Sequence, residues 1–473
     1  MFNRRTVIAG AGALTATSMG FTQSAEGQAL RQRRDVSTLA ATDPFFQQYA
    51  TAVRLMHRLP ASDPRNWRNQ ALIHLNHCPH GRDSFCHWHR YYVAAFEAIC
   101  RQLIGDDTFA LPYWDWAADD GRLPASFYDL QELNVEHWND ASNASSPSWG
   151  AITTTGKRAL AKDKGLRNDQ WSGTDFTPSR LYSMLTYTEF SKFRRRLEGP
   201  HGSAHVIIGR GNGHMASGLS PLDPIFWLHH CNVDRLWAQW QAAGNTSPPL
   251  QETYASQFVD ANGQPIANAT SAGAVSVSNF GYNYDILSDP ELVERGQWQG
   301  FQETARQFRT EVRQVASSSE GAAILGGAAT EFQIRSQAVE LNVLTRNNAR
   351  TFWVPQGGDV PQLGSRPPRV LAQLKNVALG SHDGGEAVAR VFLNCPYLSF
   401  DTPGDAPHYV SSCSFFGVGH HGPGEFLVDL TDTLTGLTLN GQVDPGDLNV
   451  QVVAAKDGEP VPISVGEVEL VTI

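Results

Sequence analysis

The sequence is poor in charge, in cysteine and in long apolar runs. Only 18% of its 473 residues are Asp, Glu, Lys or Arg, while 41% are hydrophobic, with 12 Trp and 23 Phe. A chain this apolar buries a sizeable core, which excludes disorder as its general state. At about 150 residues per domain, its length implies two large units or three smaller ones. There is no basic excess: 37 Lys and Arg face 47 Asp and Glu, a net charge of −10. From Leu371 onward, 3 basic residues face 13 acidic ones, so the tail carries the whole imbalance. A nucleic-acid partner would need a basic face, and none is offered. Beyond the first 20 residues no apolar run approaches the ~20 residues of a bilayer span, so no stable membrane span is expected. Six cysteines are spaced too unevenly for a disulfide framework. Cys395 and Cys413 are the one pair left open as a disulfide.

The N-terminus reads as a targeting segment. Asn3-Arg4-Arg5-Thr6-Val7-Ile8 leads into the small apolar stretch Ala9 to Met19, which is too short to cross a bilayer. A positive start and a short apolar region make a signal peptide, and the paired arginines make it the twin-arginine type. Residues 1–29 are therefore assigned to export through the twin-arginine machinery of a bacterium, to the periplasm or beyond. The cleavage point stays open. That route carries folded, often cofactor-loaded proteins, which is a first hint of a metal.

Residues 30–286 read mainly as helices joined by long loops. His89, Val93, Phe96 and Cys100 fall on one helical face of His89 to Leu103. Asp223-Pro224 reads as a cap and first-turn proline opening a helix through Gln241. Asn134 to Asp175 is an aperiodic, Asn/Ser/Thr/Gly-rich stretch, expected as a surface loop that lines a site. Residues 287–332 are assigned to a helix, Asp289 to Val315, and a Gly/Ala/Ser linker, Ala316 to Ala328. Residues 333–473 form an all-β domain of sandwich type, with strands at Arg369–Val377, Ala387–Asn394, Glu425–Leu430 and Leu448–Ala454.

The histidines carry the chemistry. Of 16, five fall within 16 residues: His74, His77, His80, His87 and His89. A second group is His201, His205, His214, His229 and His230. His201 and His205 lie four apart, on one helical face and about 6 Å apart along the axis, which suits two imidazoles on one metal. No Glu follows His201, so this is not a zinc-protease helix, and Glu-x-x-His spacing for a di-iron site is missing. An all-imidazole environment remains, suited to copper or zinc.

Cys78-Pro79-His80-Gly81, followed by Phe85-Cys86-His87-Trp88-His89-Arg90 and Glu97, resembles the CuA region of tyrosinases, catechol oxidases and haemocyanins. Pro112-Tyr113-Trp114-Asp115-Trp116 resembles the signature that follows it. Glu198-Gly199-Pro200-His201 with His205, and the run Asp223-Pro224-Ile225-Phe226-Trp227-Leu228-His229-His230 through Asp234 to Trp237, resembles the CuB region. Gly281-Tyr282-Asn283-Tyr284-Asp285 looks like the Tyr-x-Tyr motif that closes the catalytic domain. The resemblance implies a four-helix bundle holding two copper ions, followed by the β-domain. As ligands it implies His80 and His89 with His74 on one copper, His57 and His77 staying open as alternatives to His74. On the other copper it implies His201, His205 and His230, the last favoured over His229 for its buried face and for Asp234 four residues on. His80 and His89, nine apart, cannot aim at one metal from one helix, so Gly81 and Asp83 are expected in a loop between them. His87 and His229 are read as packing, as are Trp114, Trp116, Trp237 and Trp240. Glu97 is read as a partner for Arg90, and His420-His421 as a solvated loop.

The family also implies a thioether from Cys78 to the ring of His80, and a reaction in which O₂ and a phenolic small molecule meet at the two coppers. The leading expectation is oxidation of o-diphenols to o-quinones, with weaker monophenol hydroxylation. The alternatives are an o-aminophenol oxidase and, from another class, a haemocyanin-like oxygen-binding protein, since Ser414-Phe415-Phe416-Gly417 resembles the haemocyanin tail. In tyrosinases a Glu before the first CuB histidine and an Asn after it are credited with holding a water that deprotonates monophenols. Here Glu198 fits, with a salt bridge to one of Arg194 to Arg196 as its other reading, while Gly202 stands in place of Asn. The β-domain is expected to cover the site. Oligomeric state is left open.

Overall fold

The structure, a computed structural model, describes residues 30–139, 155–285, 313–335, 369–380, 387–416 and 423–472, apart from 445 and 457. The expected signal peptide, the expected helix from Asp289 up to residue 312, and His420-His421 lie outside the described residues.

Among the described residues, five long helices frame the first half: α1 Pro44–Arg58, α2 Trp67–His77, α3 Phe85–Ile104, α4 Phe190–Gly209 and α5 Ile225–Ala242. Their starts are chemically marked. The Asp43 carboxylate accepts the Phe45 N–H at 3.0 Å with Pro44 in the first turn, and Asn66 caps α2 through the Arg68 N–H at 3.0 Å. Helix α3 stops at Gly105, which turns left-handed at φ 69°. Helices α3 and α5 are buried on nearly every side, as expected of sequences apolar all round. Trp114, Trp116, Trp237 and Trp240 are all core residues. Among the described residues no helix is long and apolar enough to cross a membrane.

The two ends of the helical half meet in a parallel pair, β1 Arg31–Arg33 with β2 Tyr282–Tyr284. Beneath it lies a buried charge network. Arg33 donates to Glu97 at 2.9 Å and to Asp234 at 3.4 Å, and the Tyr282 and Tyr284 hydroxyls donate to Asp234 at 2.5 and 2.6 Å. This corrects one expectation. Glu97 pairs with Arg33 and Arg101, not Arg90, because β1 delivers a guanidinium directly onto it. Arg90 reaches instead to Asp234 on α5 and stacks on Trp237.

The described residues of the second half build two antiparallel sheets. One has the order β4 Gly321–Ile324, β5 Ala329–Arg335, β10 Asp447–Lys456, β7 Val388–Leu393, β8 Tyr409–Ser414, with β11 Glu459–Pro460 on β10. The other runs β12 Ile463–Ser464, β6 Val370–Leu379, β13 Glu467–Thr472, β3 Arg313–Ser318, with β9 Gly424–Asp429 on β6. Phe332, Leu374, Val391, Val450, Val452 and Leu470 share the core between them. The expected linker is therefore wrong: β3, β4 and a short turn at Leu325–Gly327 occupy it, and the described residues are already in a strand at Arg313. Its small residues serve edge packing rather than flexibility; a Cβ on Gly321 would sit 2.6 Å from the Phe332 ring. Cys395 and Cys413 are both free, and they pack in different clusters.

Helix α4 rests on β8 and β9. The Asp175 carboxylate accepts from the Ser412 N–H at 3.0 Å and the Tyr409 hydroxyl at 3.1 Å, while Ser203 and Ser412 bond at 3.0 Å. Arg180 donates to the Val410 carbonyl at 2.7 Å. Gly404 lies so close to Trp171 that a Cβ there would meet its carbonyl oxygen at 2.4 Å. The described part of the Asn134 to Asp175 stretch thus supports the β-domain.

Candidate metal centre

Two groups of buried side chains face each other inside the helical bundle. Helix α2 supplies His74 from its last turn, the following loop supplies Cys78 and His80, and the first turns of α3 supply His89. Gly81, at φ 75°, turns the chain between His80 and α3 as expected of that loop. Helix α4 supplies His201 and His205, and α5 supplies both His229 and His230. Within each group the candidate ligand atoms lie within 4.8 Å of one another. Across the groups, His89 and His230 stack at 4.2 Å and His80 stands 5.5 Å from His201.

The backbone orients the rings. Nδ1 of His74 lies 2.8 Å from the Gly218 carbonyl, Nδ1 of His89 is 2.9 Å from the Phe85 carbonyl, and Nδ1 of His205 is 2.8 Å from the Met215 carbonyl. Each such contact places the proton on Nδ1 and leaves the Nε2 lone pair facing inward. The Nε2 atoms of His74, His201 and His205, and both nitrogens of His230, are buried without a hydrogen-bond partner. Burial and mutual repulsion hold these imidazoles neutral: His74 is pushed down to about 4, and His89, His201, His205 and His230 fall well below the usual histidine range. Buried polar atoms are normally satisfied. A set of neutral imidazoles, four of them with a buried Nε2 that has no hydrogen-bond partner among the described residues, suits soft-to-borderline metals such as copper.

Of the three candidates for the first position, the structure gathers His74. His57 lies elsewhere, half-buried and stacked on Trp138 at 3.7 Å, and His77 is exposed. His87 packs against Trp237 and Phe190, outside both groups. His229, read as packing, does touch Trp116 at 4.9 Å, yet it also stands 4.5 Å from His205 within the second group. The carboxylate thought to support His230 is engaged elsewhere, since Asp234 serves Arg33, Arg90, Tyr282 and Tyr284. Cys78 Sγ lies 3.3 Å from Nδ1 and 3.6 Å from Nε2 of His80, and 3.3 Å from Nε2 of His89.

Glu198 makes the salt bridge given as its other reading: it accepts from Arg194 at 2.9 Å and from the Gly81 N–H at 2.8 Å. Burial raises its pKa against the pull of Arg194. Gly202 packs directly under the β-domain; a Cβ there would meet Ser414 Cβ at 2.6 Å and Oγ at 2.8 Å. Two residues on, Phe416 enters the site. Its ring lies flat on His205 at 3.9 Å and 11°, with His80 at 5.2 Å and His201 at 6.0 Å, and it is 4% exposed. The sequence marked this segment by resemblance, but nothing local said which of its two phenylalanines turns inward.

The profile for the common central domain of tyrosinase matches residues 47–243. Tyrosinase from Streptomyces antibioticus is 30% identical over 231 residues, covering 44% of this chain and 81% of that protein. The chain belongs to the tyrosinase family. Tyrosinase HcTyr1 from a Hahella species matches at 24% identity over 93% of this chain and 99% of its own length. Aureusidin synthase from Antirrhinum majus is 29% identical, and the match spans 44% of it. A solved latent aurone synthase shares the fold across 97% of this chain and 92% of that one, with a TM-score of 0.62 at 17% identity. This member is thus an enzyme of the tyrosinase and catechol oxidase type, a copper oxidase of phenols, and the two histidine groups are suited to the family's type-3 dicopper centre.

Proposed function

We propose that the chain oxidises o-diphenols to o-quinones, two diphenols per O₂ with two waters formed, at coppers held by His74, His80 and His89 on one side and His201, His205 and His230 on the other. The observation that carries this is the pair of facing imidazole groups, in which the Nε2 atoms of His74, His201, His205 and His230 are buried with no hydrogen-bond partner among the described residues. Bound there, two copper ions supply the electron transfer between diphenol and O₂. The chain's own residues do the rest. The Gly218, Phe85 and Met215 carbonyls fix ring orientation, and burial keeps the imidazoles neutral. His230 is assigned over His229 because its ring stacks on His89 between the two groups, whereas His229 leans on Trp116. We also infer a Cys78–His80 thioether through the ring carbon flanked by both nitrogens. Its formation would remove one S–H and one C–H hydrogen with two electrons, which O₂ would take up as hydrogen peroxide.

Phe416 occupies the place a phenol ring would take, so the chain as described is a closed form. That same closure favours a second reading, an oxygen-binding protein, because a small gas passes where a ring does not. One experiment separates the readings. The copper-loaded chain, carrying about two coppers, is given catechol, 2-aminophenol, L-DOPA and tyrosine in an oxygen electrode. Uptake fastest with catechol or L-DOPA is expected; fastest uptake with 2-aminophenol selects the aminophenol reading. Reversible oxygen binding without consumption selects the carrier, and stoichiometric zinc in copper-rich medium sinks the dicopper site.

A further inference from the structure

A cavity of about 280 Å³ opens beside the histidines, between the helical half and the β-domain. His80 and His201 form its floor, Phe416 and Glu425 come from the β-domain, and a third wall is cationic: Arg82, Arg194 and Arg195. The helical half neutralises only one of these arginines itself. Arg194 lies 3.0 Å from Asp83 and 2.9 Å from Glu198. Arg195 instead meets Glu425 of β9 at 2.8 Å, and Arg82 is exposed with no carboxylate assigned to it among the described residues. Without Glu425, the lining would hold three guanidiniums against the single carboxylate of Glu198.

The β-domain therefore inserts two groups into one cavity, an aromatic ring against the histidines and a carboxylate against an arginine. These are the two ends of a single type of small molecule, an aryl ring joined to a carboxylate. We propose that Arg195, with Arg82 beside it, determines specificity for phenols bearing a carboxylate on a short side chain, and that Glu425 holds that carboxylate's place in the closed chain. The inference rests on the dicopper reading for where the ring goes; the charge recognition is independent of it. Arg195 is only partly exposed, 26% by side chain, so an anion there keeps part of its attraction to the guanidinium despite solvent screening.

The test uses the full chain with Phe416→Ala, which frees the ring seat. The ratio of kcat/KM for 3-(3,4-dihydroxyphenyl)propionate to that for its amide is measured with and without Arg195→Gln. Calorimetry compares 3-phenylpropionate with 3-phenylpropanamide, neither of which is oxidised. The acid should be favoured roughly three- to tenfold, through KM, with the preference reduced by 0.5 M salt, lost in Arg195→Gln and kept in Arg195→Lys. In the otherwise native chain, Glu425→Gln should strengthen binding of the acid and not of the amide. An unchanged acid-to-amide ratio in Arg195→Gln overturns the proposal, as does failure to bind either compound. Turnover of 4-methylcatechol by the same samples reports separately on the dicopper reading, so neutral turnover without acid preference sinks this inference alone.

Discussion

Replacing Phe416 by Ala in the full chain removes the ring that lies on His205. For a diphenol to reach the histidines in the native chain, that ring must first leave a seat where it is 4% exposed. Burying a phenylalanine side chain is worth about 1.5–3 kcal/mol, so the closed chain loses roughly 10- to 100-fold in kcat/KM for a substrate competing for the seat. Phe416→Ala should recover that factor for catechol, whose ring is the size of the one removed. The substitution also costs stability. Phe→Ala in a sealed core costs about 3–5 kcal/mol, but this seat borders a cavity of about 280 Å³ and is walled by imidazoles, so water can fill it. A loss of about 2 kcal/mol, or roughly 4–8 °C in Tm, is expected. The assay is oxygen uptake with catechol at several concentrations, normalised to copper content, beside a thermal melt. A folded, copper-loaded variant whose kcat/KM rises less than about twofold would refute the closure argument, because nothing else about the seat has changed.

Two further outcomes follow from other parts of the molecule. Monophenols should be oxidised far more slowly than o-diphenols, because Glu198 already accepts from Arg194 and Gly81 and Gly202 offers no amide beside it; Gly202→Asn should raise the tyrosine-to-L-DOPA rate ratio, by up to about 10²-fold. An equal rise on both substrates would mean the new side chain merely displaces Ser414, whose Cβ lies 2.6 Å from the position of a residue-202 Cβ. Asp35 is raised to about 6, chiefly by burial and then by Asp115, so it favours folding while protonated; its share of stability is complete below pH ~4 and lost as pH rises through 6. Asp35→Asn, which keeps the acceptor for the Ser37 N–H, should therefore raise Tm at pH 7.5 by the equivalent of about 1–3 kcal/mol and leave it unchanged near pH 4; a shift of the same size at both pH values would contradict this.

The helical half was legible because its signals are local. The four-residue spacing of His201 and His205, the Asp223-Pro224 start and the glycine after His80 each act within a turn or two of chain, and the structure shows the corresponding helix faces and loop. Ligand choice at His229-His230 was harder for a physical reason. Adjacent helical residues point about 100° apart, so which ring faces the centre depends on how α5 is rotated against α3, and the structure brings both rings near His201 and His205. Charge pairing failed for a related reason. Glu97 and Arg90 share α3, but the partner that decides the network is Arg33, 64 residues away. The expected linker misled because small residues serve equally a flexible tether and the close packing of an edge strand. What closes the site depends on the longest-range contact of all: Asp175 must hold Ser412, and β8 must lie on α4, before Phe416 can reach His205. No window of sequence contains both sides of that contact, so the inward turn of Phe416 rather than Phe415 becomes readable only once the two halves of the chain are packed together.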